Sequence, residues 1–381
     1  MDREEGKPDH TSCYVALELS RTKWLVGAVL PGKERIMVVP VAAGDAEKLL
    51  CALSRIVAKA VDVGHPNVQL RVCFEAGYDG FWLARFLIDR GIDTTVLDAS
   101  SFLVSRRGRR AKTDRIDVES MAFMLKAYLL GDKSVCRPVR IPSPEEEDAK
   151  RLARERAQLL KERTRNVNRI RALLNLQGIR DVRGLWGGNW RQWLGERRTG
   201  DGRPLGAFLL RELSRHFERL ELLASQIKVL ETEREALIAH QAKRPEGAKI
   251  VALTQLCGIG EGGATTLVTE VFYRQFANRK HLASYLGLAP SPYASGEVSR
   301  DQGISKAGNK RARVMMVELA WCWLRYQPQS QLAQWYRRRF AERAGRSRKI
   351  GVIALARKLA IALWRFVQTG LVPEGAKLKT V

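Results

Sequence analysis

Along its first hundred residues the chain alternates short apolar runs with helical stripes. "SCYVALEL" (12–19), "WLVGAVLP" (24–31) and "RIMVVPVA" (35–42) are apolar runs divided by polar turns, which predicts a three-stranded meander. From about Ala46 to Val63 the period changes: Leu49, Leu50, Leu53, Ile56 and Val57 fall on one helical stripe. A strand "QLRVCFEA" (69–76), a helix "GFWLARFLIDRG" (80–91) closed by Gly91, and a strand "DTTVLD" (93–98) follow. Three antiparallel strands, then helix, strand, helix and strand, is the order of a ribonuclease-H-like α/β domain, although many α/β folds share parts of it.

The middle of the chain reads differently. "RPVRIPSPEEEDAK" (137–150) is proline-rich and then acidic, as in a linker that becomes a helix start. A long basic helix is expected from there to about Leu176, with Leu152, Leu159, Leu160, Val167, Ile170, Leu173 and Leu174 as its apolar seam. After an interruption at 186–204, a second amphipathic helix is expected from about Leu205 to Ile238. Two long helices joined by a loop predict an antiparallel coiled-coil arm offering a basic, dimerising surface, or equally a plain helical bundle. In "LTQLCGIGEGGATTLVTEV" (253–271) a helix, a G-I-G turn and a second helix match a helix–hairpin–helix. There Gly258 and Gly260 would let backbone N–H groups approach a phosphate.

Charge narrows the function. The 66 lysines and arginines against 41 acids leave a net charge of +25 over 381 residues. Such a surplus repels itself and points to a polyanionic partner, most often nucleic acid. The six cysteines are scattered without a CxxC pair, so neither a zinc knuckle nor a disulfide framework is expected. No apolar run reaches the roughly 18 residues of a membrane span, and "MDREEGKPDHTS" is no secretory signal. A cytoplasmic, nucleoid-associated protein is expected.

Against that basic background four acids stand out. Glu18 in "VALELS" and Glu75 in "VCFEAGYDG" each interrupt an apolar strand, where burial without a cation is costly. Asp114 and Asp117 in "AKTDRIDVESMA" lie one helical turn apart. In a ribonuclease-H-like fold the first and fourth strands are neighbours. Glu18, Glu75, Asp114 and Asp117 are therefore expected to form a four-carboxylate cluster for two Mg²⁺ ions, cations that favour carboxylate, water and phosphate oxygens. The flanking Arg106, Arg107, Arg109, Arg110 and Lys112 would hold the nucleic-acid backbone. Surface ion pairs of the two aspartates with Arg110 and Arg115 are the simpler alternative.

These motifs, with "NRIRALLNLQGI", "LCGIGEGGAT" and "YLGLAPSPYASGEVSRDQGISKAGNKRAR", occur in the order seen in transposases of the insertion-sequence-110 family. These are the DEDD transposases that include the Piv site-specific invertases, and the chain resembles them from about residue 13 to 330. The resemblance implies a ribonuclease-H/RuvC-like DEDD catalytic domain over 12–140, a coiled-coil arm over 145–240 and a mostly α C-terminal transposase domain over 245–370. It implies that Ser295 is a nucleophile and that Lys306, Lys310, Arg311 and Arg313 of the same signature contact nucleic acid. It further implies strand cleavage and exchange between donor and target DNA, guided by a noncoding RNA, by a homodimer or tetramer. A Piv-like invertase and a Holliday-junction-type nuclease share parts of this pattern. One departure is notable: the family carries aspartate where this chain has Glu18, and the added methylene moves the carboxylate outward by about 1.5 Å.

Overall fold

The computed structural model describes residues 12–33, 35–77, 80–102, 113–182, 189–241, 245–295, 298–340 and 345–379. The chain separates into two compact units, Met1–Ser143 and Pro144–Val381.

The first unit is built on a sheet. Strands β1 (Ser12–Leu19), β2 (Lys23–Val29) and β3 (Met37–Ala42) form the meander, followed by α1 (Ala46–Asp62), β4 (Gln69–Glu75), α2 (Trp82–Ile88), β5 (Asp93–Leu97), α3 (Asp114–Leu129) and β6 (Pro138–Val139). The strand order is β3-β2-β1-β4-β5-β6. β2 and β3 run antiparallel to their neighbours, β4 and β5 continue parallel to β1, and β6 returns antiparallel. β1 is central and buried continuously from Ser12 to Leu17, because helices cover both of its faces. On one face Val15, Leu17, Val72 and Phe74 meet Leu49, Leu53 and Ile56 of α1 and Leu83 and Leu87 of α2. On the other, Tyr14, Ala16, Leu25 and Cys73 meet Val118, Met121 and Leu125 of α3.

β6 falls where the sequence suggests only a linker. Two residues, one of them Pro138, carry no periodicity to read; their pairing with Val96 and Leu97 supplies the strand.

The second unit is helical apart from one hairpin. It comprises α4 (Pro144–Asp148), α5 (Arg151–Asn175), α6 (Trp190–Gly195), α7 (Ala207–Gln241), α8 (Pro245–Gln255) and α9 (Glu261–Leu267). A π turn (Val268–Phe272), α10 (Arg279–Tyr285), β7 (Pro290–Ser295), β8 (Val298–Ile304), α11 (Lys310–Tyr326), α12 (Gln331–Phe340) and α13 (Gly345–Thr369) complete it. α5 and α7 lie antiparallel, as the ion pairs Arg156–Glu231 and Arg169–Glu212 require. Val167, Ile170 and Leu174 form their seam with Leu213, Phe217 and Leu220. The interruption at 186–204 contributes to this core: Trp190 of α6 stacks on Phe217 at 4.8 Å and donates to Glu221 at 2.7 Å. Helices α8 to α13 share a separate core around Leu253, Leu267, Met316, Trp323, Leu355 and Leu359. Among the described residues no helix is long and apolar enough to cross a membrane.

Candidate carboxylate site and the C-terminal hairpin

Strand register brings two of the four acids together. The parallel pairing of β1 and β4 sets Leu17 beside Phe74, so the next residues, Glu18 and Glu75, are level on strands about 4.8 Å apart. Side chains alternate along a strand. Since Ala16 and Cys73 face α3, Glu18 and Glu75 lie on that same face. Glu18 is half-buried and Glu75 exposed.

α3 supplies the other pair. Thr113 caps it, its hydroxyl accepting from the Ile116 N–H at 3.3 Å, and Asp114 and Asp117 occupy the first turn. Negative charge is favoured there by the unpaired N–H groups and the helix dipole. Val118 and Met121 seat the helix on the sheet, where the Cys73 thiol donates to the Met121 carbonyl. Asp114 is exposed and Asp117 half-buried.

By donor chemistry these carboxylates fit a hard divalent cation. By geometry the fit is partial: strand register pairs Glu18 with Glu75, but among the described residues no three His, Cys, Asp or Glu side chains are grouped to hold one ion. Arg106, Arg107, Arg109, Arg110 and Lys112 lie outside the described residues.

The remaining candidates belong to the second unit. Ser295 is the last residue of β7 and pairs with Val298 of β8. Gly258 turns the chain between α8 and α9 with φ +86°, and a Cβ there would sit 3.1 Å from the Tyr326 Cβ and 3.3 Å from the Cys322 carbonyl. This glycine therefore permits close packing on α11. Gly260 precedes α9 in extended conformation and has open space around it. Lys306, Lys310 and Arg311 are exposed. Arg313 turns inward, donating to the Lys306 carbonyl at 2.9 Å and the Leu286 carbonyl at 3.4 Å.

A buried polar hub lies beyond what the sequence motifs mark. Glu270 in the π turn is 3% exposed. Arg154 of α5 grips it with a two-pronged pair, Nε to Oε1 at 2.8 Å and Nη2 to Oε2 at 3.1 Å. The Asn309 amide donates to Oε2 at 3.1 Å, and the Tyr285 hydroxyl donates to the Glu270 carbonyl at 2.8 Å. Asn309 also caps α11, accepting from the Ala312 N–H. Gly308 before it has φ +89°, and a Cβ there would overlap the Tyr285 carbonyl. Buried Lys150 lies over the Tyr273 ring at 4.0 Å. Burial alone would raise the Glu270 carboxyl, but Arg154, Asn309 and Lys150 together hold it below its ordinary value. The sequence does carry one signal of it: "TLVTEVF" places an acid in an apolar run, as do the strands carrying Glu18 and Glu75.

Comparison with known proteins gives two family matches. Residues 28–178 match the DEDD-type IS110 transposase family, a span holding Glu75, Asp114 and Asp117 but not Glu18. Residues 251–335 match the family described as transposase IS116/IS110/IS902, a span holding Ser295 and the hub residues Glu270, Tyr285 and Asn309. The chain is 44% identical to y4rJ of Sinorhizobium fredii, a protein named as a candidate transposase, over 98% of this chain and 96% of that one. It is 27% identical to y4qE of the same organism, over 86% and 76%. It is also 27% identical to the transposase for insertion sequence element IS1328 of Yersinia enterocolitica, over 68% and 73%. Two family matches and near full-length similarity fix the class as DNA transposase, an enzyme that cuts and joins DNA. The chain belongs to the IS110 family of insertion-sequence transposases.

Proposed function

We propose that the chain cuts and exchanges DNA strands through a ribonuclease-H/RuvC-like domain spanning 12–140, in which Glu18, Glu75, Asp114 and Asp117 hold two Mg²⁺ ions. The observation that carries this reading is the β1–β4 register, which sets Glu18 level with Glu75 on the face covered by the helix that starts at Asp114. When bound, the ions would supply Lewis acidity at the attacked phosphate and a lowered pKa for the attacking oxygen. The protein's own part is to hold four carboxylates in register and to grip the nucleic-acid backbone with Arg106, Arg107, Arg109, Arg110 and Lys112.

In this reading Ser295 is the nucleophile. Its Oγ attacks a phosphorus and gives its proton to a base, the P–O3′ bond breaks, and the departing 3′ oxygen takes up a proton from that base or from water to leave as a hydroxyl. The resulting phosphoserine conserves the bond for rejoining to another strand. The exposed Lys306, Lys310 and Arg311 and the turn at Gly258 and Gly260 contact backbone phosphates, while the helical pair within 145–240 serves assembly into a dimer or tetramer. A noncoding RNA pairs with donor and target DNA and leaves shape and backbone to the protein, and the net charge of +25 suits two polyanions. Relatives named for insertion sequences favour an element with its own ends over an invertible segment.

The test is recombination of donor and target plasmids with the cognate element, wild type against Ser295→Ala, with trapping of a covalent protein–DNA adduct. The proposal expects an adduct in wild type and its loss, with recombination, in Ser295→Ala. Cleavage without an adduct, unaffected by Ser295→Ala, would assign the chemistry to water and make the enzyme a junction nuclease.

A further inference from the structure

The helical pair holds a cleft that neither the carboxylate site nor the hairpin uses. It is open, about 440 Å³ in volume, and lined by Glu162, Arg165, Asn166 and Arg169 of α5 and His216 and Arg219 of α7. The α5 residues follow i, i+3, i+4, i+7 spacing and so form one stripe; His216 and Arg219 are three apart on the facing helix. This stripe runs beside the apolar seam of Val167, Ile170 and Leu174, so packing of the seam holds the cleft's walls in place.

Its hydrogen bonding is directional. The Asn166 amide nitrogen donates to the Glu162 carbonyl at 3.1 Å, which turns its oxygen toward His216 Nδ1 at 2.9 Å. That oxygen can only accept, so Nδ1 carries the hydrogen. Arg219 Nη1 approaches the same ring nitrogen at 3.5 Å and finds no lone pair there. Arg169 gives one nitrogen to Glu212 at 2.8 Å while more than half of its side chain stays exposed. Three guanidinium groups thus border an open volume whose lining contains a single carboxylate, Glu162.

We propose that this cleft is a phosphate-backbone site for nucleic acid, in which Arg165, Arg169 and Arg219 engage consecutive phosphodiesters and His216 adds a proton-dependent donor. It rests on the reading of the chain as a nucleic-acid-handling enzyme, but its test is a binding measurement that needs neither Ser295 nor the carboxylates. Guanidinium forks match phosphate oxygens in pairs. The charged groups around His216 are Glu162, Arg165 and Arg169 from α5 and Glu212, Arg215 and Arg219 from α7. Burial, then Arg219, hold the imidazole below its ordinary value of 6.5, with Arg169 and Arg215 adding to this against an upward pull from Glu212. A bound phosphate offsets those cations, so binding raises the imidazole's affinity for a proton. Binding therefore tightens as pH falls through the range between the free and the bound values.

The experiment is fluorescence anisotropy of the full chain with a 30-base-pair duplex DNA and, separately, a structured RNA hairpin, between 50 and 200 mM salt and pH 5.5 and 8. Arg165→Ala/Arg219→Ala should weaken binding at least tenfold and make the log–log salt slope on duplex shallower by about 2, close to one unit for each phosphate no longer neutralised. His216→Gln should flatten the pH dependence. Arg211→Ala/Lys228→Ala, which removes two exposed α7 cations outside the cleft, should cost clearly less, and thermal midpoints should match wild type throughout. Weaker binding to DNA alone or to RNA alone supports the site and names its polymer. Unchanged slopes on both, or an equal effect from the control pair, overturn it.

Discussion

Glu75 and Glu270 have the same look in the sequence and opposite surroundings in the fold. Each is a lone acid in an apolar run, "VCFEA" in one case and "LVTEVF" in the other. Glu75 ends a strand, exposed and level with Glu18. Glu270 is enclosed, with both carboxylate oxygens bonded to Arg154 and one also to Asn309. An acid enclosed in the protein with both oxygens bonded to protein donors is structural, since its burial leaves a ligand no approach. An acid left open beside a second acid repels it, and a cation relieves that repulsion. The difference lies wholly in partners, and Arg154 is 116 positions away along the chain.

The contrast can be broken by exchanging loss of charge for loss of fold. Glu75→Gln should reduce strand cleavage by about 10³-fold or more, equivalent to roughly 4 kcal/mol of transition-state stabilisation, with an unchanged melting temperature. A cleavage assay beside a thermal melt reads both; full activity in Glu75→Gln would remove it from the site. Glu270→Ala should do the reverse at the level of the fold. It strands the Arg154 guanidinium and should cost about 2–4 kcal/mol in a denaturant titration. That is below the ~3–5 kcal/mol of a fully enclosed pair because nearly half of the Arg154 side chain reaches solvent. An unchanged midpoint would mean that the hub does not stabilise the fold.

The neighbouring acid sharpens the comparison. If Glu18 reaches about 1.5 Å too far, Glu18→Asp should raise recombination several-fold and Glu18→Gln should abolish it, with DNA binding unaltered in both. Equal activity of all three forms in the plasmid assay would show that Glu18 holds no metal. The smallest effect is in acid. Glu270 titrates below its ordinary 4.5 when folded, so its contribution is fully present above that pH and is lost as pH falls through the folded value. Unfolding curves from pH 6 to 3 should be steeper in wild type than in Glu270→Gln below about pH 4.5, and identical slopes would deny the linkage.

Much of the first unit is legible because its strands are apolar and its helices striped. β1 to β5, α1 and α2 fall within a few residues of where periodicity sets them. The long basic helix runs Arg151–Asn175, within a residue or two of where the apolar seam sets it, and Lys150 before it is buried over Tyr273. β6 is illegible at two residues. In the hub, the lysines and arginines of "SKAGNKRAR" read as one basic patch, yet Arg313 is spent on carbonyls and Asn309, uncharged and inconspicuous, joins Glu270 to α11. Composition exposes charge; only neighbours distant in the chain decide which charges face inward.

The sheet's margins carry one more consequence. One edge strand contains Pro40, which has no N–H to offer, and the other is two residues long and begins with Pro138. A strand from another copy would find little ladder to extend at either side. This six-stranded sheet is thereby guarded against growing into a continuous intermolecular one, and contacts made at its margins fall to side chains.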